Sequence, residues 1–369
     1  MSVHFDHLLL LIITTFYFFN PNYPSSLAAR PLPSASTPAF DNNHNQTWQE
    51  FESLVDAKKG SCVAGMSKLK SYFHQFGYLP KTPNKNFTDV FDNTLEYALT
   101  RYQSRQGLPI TGKLDSITLS HVVQPRCGVS DTATFATHPQ PSRLGATYTK
   151  RFAYFPGKPR WARPSSTNLI NLTYAFSRDN INMIDYLSFS DVRAVFQRAF
   201  VRWASVIPVS FTEVEEYRTA DIKIGFYRGE HGDGEPFDGV LGVLAHSFSP
   251  ESGMFHLDAA ETWAVDFGSE KSRVAIDLES VATHEIGHLL GLAHTTVKEA
   301  VMYATLGPRT RKVDLRLDDV AGVQALYGSN PNSTYNSLIE SYTSDSFRAV
   351  GFRSILFRWV AFVVLAFLF

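Results

Sequence analysis

Apolar residues recur along this chain with two different periods, and the change of period divides it. From Phe51 to Val123 the spacing is helical. Met66, Leu69, Tyr72, Phe73 and Phe76 share one face, and Gly77 stops the run. Phe91, Leu95, Ala98, Leu99 and Tyr102 form a second stripe, with Asp89 or Asp92 available as N-cap and Gly107 as the stop. A shorter third helix is predicted over Asp115 to Val123, so this stretch reads as a small three-helix module. From Ala133 to Lys150 the chain is loop-like and marks a boundary. Beyond it, Leu169 to Phe176 alternates and predicts a strand, with further strands over Ile222–Phe226 and Leu241–Phe248. Helices are predicted over Ser190–Val206, capped by Ser190, then over Leu278–Leu290 and Asp318–Tyr327. Mixed strands and helices make the second part an α+β domain.

Both ends carry apolar runs. Leu8 to Phe19 is short for a membrane span and suits a secretory h-region, although its n-region lacks Lys and Arg; Leu27-Ala28-Ala29 offers a cleavage site. At the other end, the small cluster Ser344-Asp345-Ser346 precedes a polar spacer and an apolar tail ending at Phe369. That order is the pattern of a GPI-anchor signal, with Ser344 as the attachment residue and Asn336 as another candidate. A short tail-anchor helix or an amphipathic membrane contact are the competing readings of the tail.

Length and charge narrow the picture further. The 369 residues suit two modest domains, and 44% apolar residues allow sizeable cores. A formal charge of -1, with no basic arm, gives no pull toward nucleic acid. Four sequons, at Asn45, Asn86, Asn171 and Asn332, fit a secretory route. The two cysteines, Cys62 and Cys127, read most simply as a disulfide.

The chemistry concentrates between Thr283 and His294. His284 and His288 lie four apart on a predicted helix, so both imidazoles leave one face about one turn apart. Gly291 can end that helix with positive φ, letting the chain double back and supply His294. Three nitrogen ligands leave one coordination position of Zn²⁺ open, which is the catalytic arrangement. Glu285 is not needed as a ligand. It is placed to take a proton from a water whose pKa zinc lowers from about 16 to about 7, and to pass that proton to a leaving amine. Met302 follows in Val301-Met302-Tyr303-Ala304, as the Met-turn of the metzincin signature requires.

These residues, with Pro125-Arg126-Cys127-Gly128-Val129-Ser130-Asp131, closely resemble the matrix metalloproteinases over roughly Phe51 to Gly328. The terminal apolar runs make 1–29 a signal peptide and 331–369 a tail with a GPI-anchor signal; the resemblance implies that 30–150 is a propeptide with a cysteine switch and 151–330 a zinc protease domain with a twisted mixed sheet and about three helices. It implies that Cys127 fills zinc's open position in the latent form, that Arg126 pairs with Asp131, and that Cys62 is left free, by default in the core. His231, Asp233, His246 and His256 resemble the family's structural zinc ligands. Asp238, Gly239, Asp258 and Glu261, with the carbonyls of Leu241 and Val243, resemble a calcium site. Asp221 matches one ligand of a second calcium whose partners are missing. One of Asp318 and Asp319 is expected to pair with a new N-terminus formed between about Thr137 and Phe155. Leu244-Ala245 is expected to offer strand pairing to substrate, and a pocket reaching the Met302–Thr310 loop to take a large apolar side chain.

Two zinc ions and at least one calcium, extracellular protein substrates, an activating protease, a lipid-anchored plasma-membrane location and a monomeric state complete the expectation. A plant-type member without a β-propeller domain fits it best. The competing reading is a catalytically silent zinc-binding surface protein; intact Glu285 favours the enzyme. Of the twelve histidines, His4, His7, His44, His74, His121 and His138 lack ligand spacing and read as surface or structural.

Overall fold

The computed structural model describes residues 48–80, 86–132, 151–162, 169–178 and 184–331. The segments expected to be a signal peptide and a lipid-anchor tail, with Ser344 and Asn336, and the sequons Asn45 and Asn332 lie outside the described residues. A helical lobe comes first, with a 3-10 turn over Gln49–Leu54 and three helices: α1 (Met66–Gln75), α2 (Asn93–Gln106) and α3 (Ser116–Val122). Asp92 and Asp115 cap α2 and α3, accepting from the amides of Leu95 and Thr118. The predicted stripes close on one another: Tyr72, Phe73, Tyr78 and Tyr102 pack edge-to-face in a single cluster.

The second lobe wraps a mixed sheet. Its strands are β3 (Ile170–Phe176), β4 (Val209–Glu213), β5 (Ile222–Tyr227), β6 (Val243–Ser247) and β7 (Met254–Asp258). The order is β4-β3-β5-β7-β6, with β6 antiparallel to β7 and the other pairs parallel. A short strand from outside the lobe, β1 (Arg126–Cys127), adds itself parallel to β6. The remaining elements are two-residue strands β2 (Ala153–Tyr154), β8 (Trp263–Ala264), β9 (Ile276–Asp277) and β10 (Leu292–Ala293), and helices α4 (Phe189–Ala204), α5 (Leu278–Leu289) and α6 (Leu317–Tyr327).

α4 buries Val192, Val195, Phe196, Ala199, Phe200 and Trp203, the face its period predicts. Trp203 donates its indole N–H to the Thr283 carbonyl at 2.8 Å, which ties α4 to α5. The cap differs from expectation. Ser188, not Ser190, accepts from the Asp191 amide, so the helix starts at Phe189. Two hydroxyls separated by one residue compete for the same role, and only the three-residue spacing from Ser188 to Asp191 closes the capping bond. Two strands escape the alternation reading. β7 is buried on both faces, so it carries no alternation to read, and β4 lies at the sheet edge.

Cys62 and Cys127 are both free, as the resemblance implied, but Cys62 is exposed, which corrects the expectation that it lies in the core. Cys62 lies in an isolated backbone bridge to Val90 that holds the main chain while the side chain points outward. Asp221 is already engaged: its carboxylate accepts from the Thr173 amide and hydroxyl. Asn86 and Asn171 are exposed, as glycan acceptors need.

Candidate active site and metal centres

α5 is buried along its whole length, which is why it reads apolar all round apart from its functional positions. Asp277 caps it through the Ser280 amide. Glu279, in its first turn, pairs with Arg198 and Arg202 of α4 and with Arg311 beyond the Met302 turn. Three guanidinium groups on one buried carboxylate clamp the helix that carries His284 and His288. α5 ends at Gly291, whose φ of +99° suits glycine, and a Cβ there would lie 2.2 Å from the Pro159 carbonyl oxygen. The chain therefore reverses and delivers His294.

The three imidazoles point their Nε2 atoms at one spot. His288 Nε2 lies 3.1 Å from that of His284 and 3.2 Å from that of His294, and Cys127 Sγ lies 3.4 Å from His288 Nε2. A tetrahedron with arms of about 2.05 Å has edges of about 3.3 Å, so this donor set fits zinc. Each Nδ1 is already committed: to the Val301 carbonyl in His284, the Leu292 carbonyl in His288 and the Asp131 carboxylate in His294, all at 2.7 Å. Those bonds place the proton on Nδ1 and leave Nε2 a lone pair for metal. Burial holds all three rings below the usual histidine range, hence neutral, as ligands must be.

Glu285 is fully buried beside this cluster, and burial raises its carboxyl to about 7. Neither of its oxygens has a hydrogen-bond partner at normal distance, although the Cys127 and Ser247 side chains partly offset the rise. A buried, unpartnered carboxylate is costly in a core and is suited to accepting a proton. Burial and Glu285 push the Cys127 thiol up, a tendency that coordination to zinc reverses.

Met302 lies under the ligands. A Cβ on Gly287 would come within 2.2 Å of the Met302 sulfur and 3.0 Å of Trp203, so the glycine between the first two histidines is a packing requirement. Asp319 receives the amides of Val301 and Met302 and holds that turn. We expect Gly287→Ala to lower stability by about 1–3 kcal/mol through overpacking. Thermal unfolding checks this; an unchanged midpoint means that Met302 moves aside without cost.

Segment 125–128 threads the cleft. The Arg126 amide donates to Gly242 and the Gly128 amide to Ala245 on one wall; the Cys127 amide donates to Ala304, and Pro125 accepts from Leu306, on the other. The β6 edge expected to pair with substrate is therefore occupied. Beside it, a narrow pocket of about 20 Å³ runs between Leu244, Val281, Val301, Leu306 and Lys312, where the apolar side-chain pocket was expected.

Among the described residues, the second tight donor group is His231, Asp233, His246 and His256. Asp233 Oδ2 lies 2.7–2.8 Å from a nitrogen of each histidine. Burial opposes its ionisation, yet the Glu235 amide with His246 and His256 holds the carboxyl well below its usual range. The calcium set is looser. Burial and the Asp258 charge raise Asp238 to about 6, burial with the same charge raises Glu261 well above the usual carboxylate range, and Glu261 Oε2 is buried without a hydrogen-bond partner. The amides of Leu241, Val243 and Gly239 already donate to Glu261, Asp238 and Asp258. An oxygen-rich group with an orphaned buried atom fits a hard cation.

Arg126 pairs with Asp131 at 2.8 Å, both fully buried. Two contacts were not legible in the sequence. Asp131 also reaches His294, and His121 bridges the lobes, with Nδ1 2.6 Å from the Tyr102 hydroxyl and Nε2 2.7 Å from that of Tyr303. Burial, then the Arg126 and Lys298 charges, lower His121 to about 4, with Asp131 opposing. A histidine depressed from about 6.5 adds stability that is present above that pH and is lost as pH falls toward 4, here about 3 kcal/mol. We expect the unfolding midpoint to fall between pH 6.5 and 4, and more shallowly in His121→Gln; parallel pH profiles would remove His121 from this role.

Comparison with known proteins places this geometry in context. Residues 160–328 match the family model described as Matrixin, and residues 64–121 match one described as a putative peptidoglycan binding domain. The chain is 59% identical to Metalloendoproteinase 4-MMP of Arabidopsis thaliana, over 75% of this chain and 76% of that one. It is 52% identical to Metalloendoproteinase 1-MMP of the same plant, over 87% and 86%, and 36% identical to Matrilysin of Homo sapiens, over 73% and 90%.

Proposed function

The chain belongs to the matrixin family of zinc metalloendopeptidases, and from that premise we propose that it is made as a latent, secreted endopeptidase which its own residues 125–128 hold shut. One observation carries the reading. The Cys127 thiol stands at the fourth corner of the three-histidine site while the backbone of segment 125–128 bonds to both cleft walls. Zinc, when bound, supplies a Lewis acid that makes water a nucleophile near neutral pH and polarises a carbonyl. His284, His288 and His294 hold it. Glu285 takes the proton of the attacking water and returns it to the leaving amine. The β6 edge and the 304–306 wall bind an extended peptide once segment 125–128 leaves, and the pocket beside them takes an apolar side chain.

Residues 30–150 act as the propeptide and 151–330 as the protease. His231, Asp233, His246 and His256 hold a structural zinc; Asp238, Gly239, Leu241, Val243, Asp258 and Glu261 hold calcium. Because Asp319 is spent on the Met302 turn, Asp318, which accepts from the Arg151 amide at 2.9 Å, is the partner for a new N-terminus near 151. The substrates are extracellular proteins. A signal peptide, glycans at the four sequons and a lipid anchor near Ser344 would hold a monomer outside the plasma membrane.

The test is limited proteolysis of the purified full chain between residues 133 and 150. Peptidase activity should appear with a new N-terminus near 151, and a zinc chelator should abolish it. An intact chain already cleaving peptides at the rate of the cut one would refute latency.

A further inference from the structure

We propose that Asp131 is a positioning residue of the catalytic metal centre, so that the propeptide contributes an outer carboxylate as well as the Cys127 thiol. This rests on the reading that His284, His288 and His294 hold zinc. The carbonyls that orient His284 and His288 belong to Val301 and Leu292, inside the α+β lobe. They stay when the propeptide leaves. The third orienting group does not. It is Asp131 Oδ1, 2.7 Å from His294 Nδ1, and both side chains are 1% exposed. The same residue's main chain is also touched from the helical lobe, since Arg105 Nη2 donates to the His294 carbonyl at 2.9 Å.

The carboxylate is itself held from several sides. Arg126 Nη2 donates to Oδ1 at 2.8 Å, the Tyr78 hydroxyl to Oδ2 at 2.6 Å and Gln106 Nε2 to Oδ2 at 3.4 Å, while the Asp131 amide donates to Phe76. A carboxylate anchored so firmly fixes the His294 ring plane and its Nδ1–H tautomer, and makes Nε2 a more basic ligand. Losing such a group lowers metal affinity by about 10–100-fold. Asp131 therefore does more than pair with Arg126: held also by Tyr78, Gln106 and the Phe76 carbonyl, it aims a charge at the third ligand. Removing the propeptide then takes away a ligand and an orienting group together, and the latent chain holds its zinc more tightly than the thiol alone accounts for.

The experiment uses the full chain carrying Cys127→Ser and Glu285→Gln, which removes the thiol ligand and self-cleavage. Loaded with zinc, it is mixed with a chromogenic chelator, and metal release is followed. The phase deleted by His288→Ala reports the catalytic site; if no phase is deleted, the zinc reading fails, and the present inference with it. Asp131→Asn should speed that phase about 10–100-fold. Arg126→Gln breaks the ion pair but leaves Asp131 on His294, and should stay within about threefold of the parent. Asp131→Asn at the parent rate overturns the proposal. So does Arg126→Gln matching Asp131→Asn, which would make lobe docking the cause. Proteolytic removal of the propeptide from the same parent chain needs no Asp131 variant. It should speed the phase by a similar factor, and unchanged release would overturn the proposal.

Discussion

Glu285→Ala should lower kcat/KM on a peptide substrate about a thousandfold while zinc content stays at the parent level. General acid–base groups contribute about 10²–10⁴ in rate, and a thousandfold loss is the middle of that range. Glu285 follows His284 directly on α5, is fully buried, and has no hydrogen-bond partner on either oxygen. Its carboxyl sits near 7 in the closed cleft because burial disfavours the charge. Opening the cleft admits water and lowers that value, so the group becomes a competent base near neutrality. None of the three imidazoles hydrogen-bonds to Glu285, so alanine leaves the metal ligands in place. Activated parent and variant are compared by steady-state kinetics and elemental analysis. Equal activity with equal zinc would eliminate Glu285 as the base.

Cys127→Ser should make the uncut chain active, about a hundredfold above the parent zymogen. Zinc stabilises a thiolate, whereas a serine hydroxyl stays protonated and binds weakly at neutral pH. Serine is close to cysteine in size, so the buried segment keeps its packing. Its amide bonds to Gly242, Ala245 and Ala304 also remain, so the uncut variant should stay slower than the cut enzyme. A fluorogenic peptide assay on uncut protein, with mass spectrometry to exclude cleavage, reads this out. Complete latency of the variant would move the block from the thiol to the backbone threaded through the cleft.

These two results depend on different kinds of information. Glu285 is legible from four neighbouring residues on one helix, because a helical period places both histidines on one face. Cys127 is legible as a thiol in a recognisable box, but its position against His288 spans 161 residues and is a matter of packing. The local reading failed in small, explicable ways. Ser190 lost the cap to Ser188 by geometry. Cys62 turned outward because its backbone, not its side chain, engages Val90. His121 is structural, as read, but nothing near it in the chain announces Tyr303, 182 residues away.

What the sequence determined by itself was the donor inventory and the elements that carry it: α5 with His284, Glu285 and His288, the Gly291 reversal, and the capped helices of the first lobe. These follow from interactions within a few residues, where period, capping and φ preference act. Only the tertiary structure decided who faces whom. It put Cys127 at the fourth corner, gave His294 a carboxylate from the other lobe, spent Asp319 on the Met302 turn and left Asp318 facing Arg151. Those choices come from burial. A charge or polar group taken out of water must find a partner, and the fold, not the local sequence, brings that partner within reach.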